Sequence, residues 1–165
     1  MVWNSRSLRA KRIEFADFLH RHDIHVGAIV ETHLSANINF SLPDHHIIRL
    51  DRSGSRGGGV AVIVKRGIKF HTLPHFNTSI IEAVGVELQS TEAAGNFRVI
   101  AAYCPRQCRA KNGEANIFRS DLAKLTRSRC KFVVCGDLNA RHKQWLNIYR
   151  NANGILLADD LQLGH

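Results

Sequence analysis

The stretch Lys131-Phe-Val-Val-Cys-Gly-Asp-Leu-Asn-Ala140 decides how the chain reads. Its apolar run, Phe132 to Cys135, predicts a short strand buried on both faces. Gly136 closes the run, and Asp137 and Asn139 follow two residues apart. On an extended backbone that spacing puts both side chains on one side. A carboxylate and an amide then leave together from the carboxyl end of a buried strand, where sheet enzymes place ligands. A strand closed by an Asp/Asn turn would use the same residues.

Working outward, the same punctuation recurs. Val26 to Val30 predicts a second buried strand, and it ends on Glu31. Arg98 to Tyr103 is strand-like and ends on an aromatic hydroxyl, while Met1 to Trp3 reads as the last residues of a strand closed by Asn4. Between the first two strands, Ile13, Ala16 and Leu19 form a stripe of helical period within Arg9 to His22, which suggests a β-α-β crossover. His46 to Leu50, Val60 to Val64, Lys69 to Leu73 and Ile81 to Leu88 read as strands. No helical stretch separates them, so antiparallel pairing is expected. Helical period returns over Glu114 to Arg127 and over Ala152 to Leu161. The glycine cluster before Val60 lacks the Lys-Ser/Thr of a nucleotide loop and predicts a turn into a strand. The pattern is that of an α/β sandwich with a mixed sheet, in one domain spanning 1–165.

Composition narrows the partners. Lys and Arg number 23 against 14 Asp and Glu, a formal charge of +9. That surplus favours a polyanion, most simply DNA or RNA. Without an apolar stretch near the roughly 20 residues a bilayer requires, and without the apolar core of a secretion signal, an intracellular protein with no membrane partner is expected. Cys104, Cys108, Cys130 and Cys135 form no Cys-x-x-Cys pair, which argues against a zinc ribbon and for reduced thiols.

The polar residues closing apolar strands are Asn4, Glu31, Tyr103, Asp137 and Asn139. If their strands are neighbours in one sheet, all five side chains share a rim. Glu31 supplies a hard oxygen, and Mg²⁺ takes one or two such ligands together with water and phosphate. Asn and Tyr can orient a phosphate without adding charge, and Asp137 can align or deprotonate a water. The set suits metal-assisted phosphodiester hydrolysis. Each residue also has a plainer use: Glu31 as a strand-end charge, Tyr103 as a half-buried strand aromatic, Asn4 as a helix cap.

Five stretches carry a resemblance: Val2-Trp-Asn-Ser-Arg-Ser-Leu8, Ile29-Val-Glu-Thr-His-Leu34, Arg56-Gly-Gly-Gly-Val-Ala-Val62, Ala101-Ala-Tyr-Cys-Pro105 and Cys135-Gly-Asp-Leu-Asn-Ala-Arg-His142. Together they resemble the endonuclease/exonuclease/phosphatase family. Within it they look most like the apurinic-type endonuclease domain of LINE-like, jockey- or R1-type non-LTR retrotransposons. The resemblance implies a four-layered, DNase I-like α/β sandwich and Mg²⁺- or Mn²⁺-dependent nicking of DNA, in the nucleus when the target is chromosomal. It implies Glu31 as metal ligand with Asn4 beside it, Tyr103 on the scissile phosphate, Asp137 on the attacking water and Asn139 orienting the phosphate. No stable protein partner is expected, and His33 and His142 receive no catalytic role. Two alternatives stay open: a non-catalytic basic DNA-binding remnant, and a phosphatase-type member acting on inositol lipids or sphingomyelin.

The family pattern continues past Asp137 into strands with a further Asp and a Ser/Asp-His pair, which the chain does not match. The expectation is a domain incomplete at its C-terminus, with an open sheet edge and little nuclease activity from the 165 residues alone. Loss of a positioned acid or base typically lowers a rate by about 10² to 10⁴.

Overall fold

A computed structural model describes residues 1–54, 57–90, 95–106 and 115–162, excepting the side chains of 115 and 116. Arg56, Cys108, the cations beyond Arg106 as far as Lys111, Glu114 and the last three residues lie outside the described residues. The elements run β1 (Val2–Asn4), α1 (Arg12–Arg21), β2 (Val26–Val30), β3 (His45–Leu50), β4 (Val60–Lys65), β5 (Phe70–Thr72) and β6 (Glu82–Leu88). They continue with β7 (Phe97–Tyr103), α2 (Ala115–Thr126), β8 (Lys131–Asp137) and α3 (Ala152–Gln162).

Among the described residues the strands form two four-stranded sheets, ordered β1-β2-β4-β3 and β5-β6-β7-β8. β1 pairs parallel with β2 and β7 parallel with β8, and the remaining pairs are antiparallel. The alternation of β2 and β4 explains the layering. Ala28, Val30, Val60, Val62 and Val64 point inward and meet Val86, Val99, Ala101 and Tyr103 of the second sheet. Ile29, Ala61 and Ile63 point outward and are covered by Phe15 and Leu19 of α1. On the far side Ala83, Ile100 and Ala102 pack under Phe118, Leu122 and Leu125 of α2, with Leu156 and Leu157 of α3 against the same cluster. The order of layers is helix, sheet, sheet, helix, which is the DNase I-like arrangement. Among the described residues no helix is long and apolar enough to cross a membrane.

Two expectations need correction. The strands lie in two stacked sheets rather than one mixed sheet, because β2 and β4 are apolar on both faces and can be sandwiched between α1 and a second sheet. The run Phe132 to Cys135 is not buried on both faces: β8 is an edge strand, and Phe132 and Val133 remain 38% and 36% exposed. Such an edge is a site for further pairing.

One buried anion holds the second sheet to its helices. Asp121 on α2 is 0% exposed, and its carboxylate accepts from the backbone N–H groups of Ser79, Ile80 and Ile81 at 2.8–3.1 Å. Lys124 adds a charged partner at 3.2 Å. That clamp sets the entry to β6.

Candidate active site

The site forms where the carboxyl ends of β1 and β2 in one sheet face those of β7 and β8 in the other. The parallel register aligns Asn4 with Val30, so Asn4 lies next to Glu31. In the second sheet Tyr103 is aligned with Asp137. The expected convergence on one sheet's rim is therefore replaced by convergence across two sheets.

Glu31 is held by its backbone before its side chain does anything. Its carbonyl accepts from Ser5 Oγ at 2.9 Å and Ser7 N–H at 3.0 Å, and Ser5 is fully buried. Glu31 and His33 both take left-handed backbone angles, φ +54° and +52°. Such angles are unfavourable for side chains other than Gly and recur where a site dictates the geometry. His33 N–H and Thr32 N–H donate to the carbonyls of Gly58 and Gly59, which ties this turn to the glycine cluster. The Asn4 amide donates to Glu31 Oε1 at 3.0 Å, so Asn4 is not a helix cap. Asn4 Oδ1 is buried and, among the described residues, has no partner.

Tyr103 is the centre of the cluster. Its hydroxyl is pushed up to about 12 by burial first, then by the charge of Glu31 and a hydrogen bond to it. Arg52 opposes the shift, and Asp137 adds to it. Carboxylates from both sheets thus act on one phenol. The Arg52 guanidinium lies over the Tyr103 ring, 5.6 Å from the centroid, and is paired with Glu82, which also accepts from Gly59 N–H at 2.7 Å. At Gly58, φ +68°, a Cβ would fall 2.2 Å from Arg52 Cζ, so glycine is what admits the guanidinium.

Asn139 does not continue an extended strand. It has φ +47°, and its N–H donates to Asp137 Oδ1 at 2.9 Å, an Asx turn. Its amide donates to the Cys104 carbonyl at 2.8 Å and accepts from Arg106 Nε at 3.3 Å. Asn139 joins the cluster through Asp137, and among the described residues its second amide proton has no acceptor.

Three residues near the cluster were not singled out from sequence. Arg52 follows one predicted strand and Glu82 lies inside another, Ile81 to Leu88, with no spacing that marks either. His33 received no role, yet its Nε2 lies 3.8 Å from Glu31 Oε2. No spacing in the sequence joins Arg52 to Tyr103; the contact depends on two sheets stacking.

The oxygen donors fit a hard divalent cation. Glu31 brings one carboxylate and Asn4 an unpartnered buried carbonyl oxygen. The described residues hold no cluster of three or more His, Cys, Asp or Glu side chains able to cage an ion. A single carboxylate with water and phosphate completing the shell is the way Mg²⁺ is commonly held.

Comparison with known proteins agrees with this fold. The sequence model described as "Endonuclease/Exonuclease/phosphatase family" matches residues 1–163. The RNA-directed DNA polymerase from mobile element jockey of Drosophila melanogaster is 31% identical over 164 residues, which is 99% of this chain and 17% of that protein. The probable polymerase from transposon X-element of the same fly is 27% identical, again over 17% of its length. The chain therefore spans about a sixth of such relatives. Among solved structures, the endonuclease domain of TRAS1, a telomere-specific non-LTR retrotransposon, superposes with TM-score 0.72 at 14% identity, over 99% of this chain and 70% of that one. An AP endonuclease from Archaeoglobus fulgidus gives TM-score 0.59 at 16% identity, covering 95% and 68%.

Proposed function

The chain belongs to the endonuclease/exonuclease/phosphatase family, and from that premise we propose that it carries the DNA-nicking site of a non-LTR retrotransposon polyprotein, hydrolysing phosphodiester bonds with Mg²⁺ or Mn²⁺. The observation that carries the reading is the meeting of two strand-end pairs across the two sheets, Asn4 bonded to Glu31 in one and Tyr103 in register with Asp137 in the other. The +9 charge supports a polyanionic substrate. Jockey and X-element sequences support the retrotransposon context, and the nuclear compartment follows when the substrate is chromosomal.

Glu31 and Asn4 Oδ1 would hold the ion, and a divalent cation there would supply Lewis-acid stabilisation of the phosphate. Tyr103, protonated throughout the physiological range, would turn its single proton from Glu31 to a phosphate oxygen once substrate is bound. Asp137 orients the attacking water and accepts its proton. The remaining amide proton of Asn139 orients the phosphate. Activity from the 165 residues alone is proposed to be weak, since the family's Ser/Asp-His motif has no counterpart in them.

The test is conversion of supercoiled plasmid to open circles in Mg²⁺ or Mn²⁺, with EDTA and Glu31→Gln as controls. Slow nicking lost in both controls is expected. If purified chain and Glu31→Gln nick at the same rate, the site is not Glu31. If neither nicks while both bind DNA with equal salt dependence, a non-catalytic binding remnant is the better description.

A further inference from the structure

Ten residues after the Asp137 turn stand out: Arg141-His-Lys-Gln-Trp-Leu-Asn-Ile-Tyr-Arg150 carries three cations and no carboxylate. Leu146, Ile148 and Tyr149 are 95%, 82% and 72% exposed, more than any apolar side chain of the sheets. Isolated exposed leucines are ordinary, but three large apolar groups within four residues are not.

The segment is also built to keep them out. His142 Nδ1 accepts from Gln144 N–H at 3.3 Å, and the Trp145 indole donates to the Ala140 carbonyl at 3.0 Å. Leu146 takes φ +63°, a left-handed angle, and its side chain is left in solvent. The ends are closed by Asn151, whose Oδ1 accepts from Arg141 N–H at 2.9 Å and from Gly154 N–H at 2.8 Å. Its amide donates to the Asn139 carbonyl at 2.7 Å. The loop is thus fastened to the turn that bears Asp137 and Asn139.

We propose that residues 141–150 form a docking wedge for duplex DNA, with Arg141, Lys143 and Arg150 on phosphates and Leu146, Ile148 and Tyr149 pressed against a base step. Charge decides the partner: an acid-free loop with cations on both sides of its apolar tip matches a polyanion that also offers apolar surface between its phosphates. Apolar side chains wedged into base steps are an established way of adding non-ionic affinity to phosphate contacts. The inference rests on the reading of the chain as a DNA endonuclease, and it assigns that site a substrate contact of its own.

Fluorescence anisotropy with a labelled 20-base-pair duplex tests it, using the full 165-residue chain over a series of salt concentrations. The variant Leu146→Ser/Ile148→Ser/Tyr149→Ser should bind about tenfold or more weakly at every salt concentration, with an unchanged slope of log K against log salt. The variant Arg141→Gln/Lys143→Gln/Arg150→Gln should lose about 3 units of that slope. Thermal melts followed by circular dichroism check the folds, and single Leu146→Ser and Tyr149→Ser variants replace the triple one if it melts early. Apolar variants that bind within twofold of the parent overturn the wedge while leaving the Glu31 assignment standing. A parent that self-associates in sedimentation, and an apolar variant that does not, would make the tip a self-contact and overturn the proposal. Nicking that ignores Glu31→Gln overturns the catalytic reading instead, and the wedge survives it.

Discussion

Asn4 and Glu31 meet across the parallel β1–β2 pair, the Asn4 amide donating to Glu31 Oε1 at 3.0 Å while Asn4 Oδ1 stays buried with no partner among the described residues. A buried carbonyl oxygen without a donor costs stability. Retaining one beside a carboxylate makes sense if a cation is its partner, and the amide proton meanwhile fixes which way Glu31 points.

From this follows a metal-binding prediction that needs no catalysis. Asn4→Ala should weaken Mn²⁺ binding by about 10-fold, and Glu31→Gln should remove it. Electron paramagnetic resonance of free Mn²⁺ during titration reads both directly. Equal affinity in the Asn4 variant would mean that its oxygen faces no ion.

Tyr103 predicts a pH effect on stability. Its hydroxyl lies near pH 12 in the folded chain, through burial and the neighbouring carboxylates, against about 10 for a tyrosine in an unfolded chain. Between those values the unfolded chain loses the proton and the folded chain keeps it. The contribution is therefore complete below pH 10 and declines as pH rises toward 12. Urea midpoints should fall more steeply with pH for the parent than for Tyr103→Phe over that window. Parallel curves would show that the phenol titrates normally.

Asp121 predicts a large loss without any loss of apolar packing. Removing its carboxylate leaves the Ser79, Ile80 and Ile81 N–H groups unpaired at the entry to β6. Asp121→Ala should cost about 3 kcal/mol in urea unfolding. A change below about 1 kcal/mol would mean that water replaces the carboxylate.

Gly136 predicts the sharpest backbone effect. It has φ +149°, and a Cβ there would lie 1.9 Å from the Ala102 carbonyl oxygen on β7. Gly136→Ala should part the ends of β7 and β8, costing about 3 kcal/mol or more and separating Tyr103 from Asp137. A crystal structure or amide-exchange pattern unchanged from the parent would refute this.

The sequence by itself determined the local elements and the identities at their ends. Short β-branched runs such as Val26–Val30 and Val60–Val64 favour buried strands, and each stops where a polar residue begins. That is why Asn4, Glu31, Tyr103, Asp137 and Asn139 were legible as one set of polar residues at or just past strand ends. Which ends face one another was decided by tertiary structure. The stacking of two sheets brought Glu31 to Tyr103, laid Arg52 on the Tyr103 ring and left Phe132 and Val133 on an open edge. Apolar periodicity records how deeply a residue is buried, whereas the partner it is buried against depends on strand pairing between segments far apart in the chain, and no local pattern encodes that.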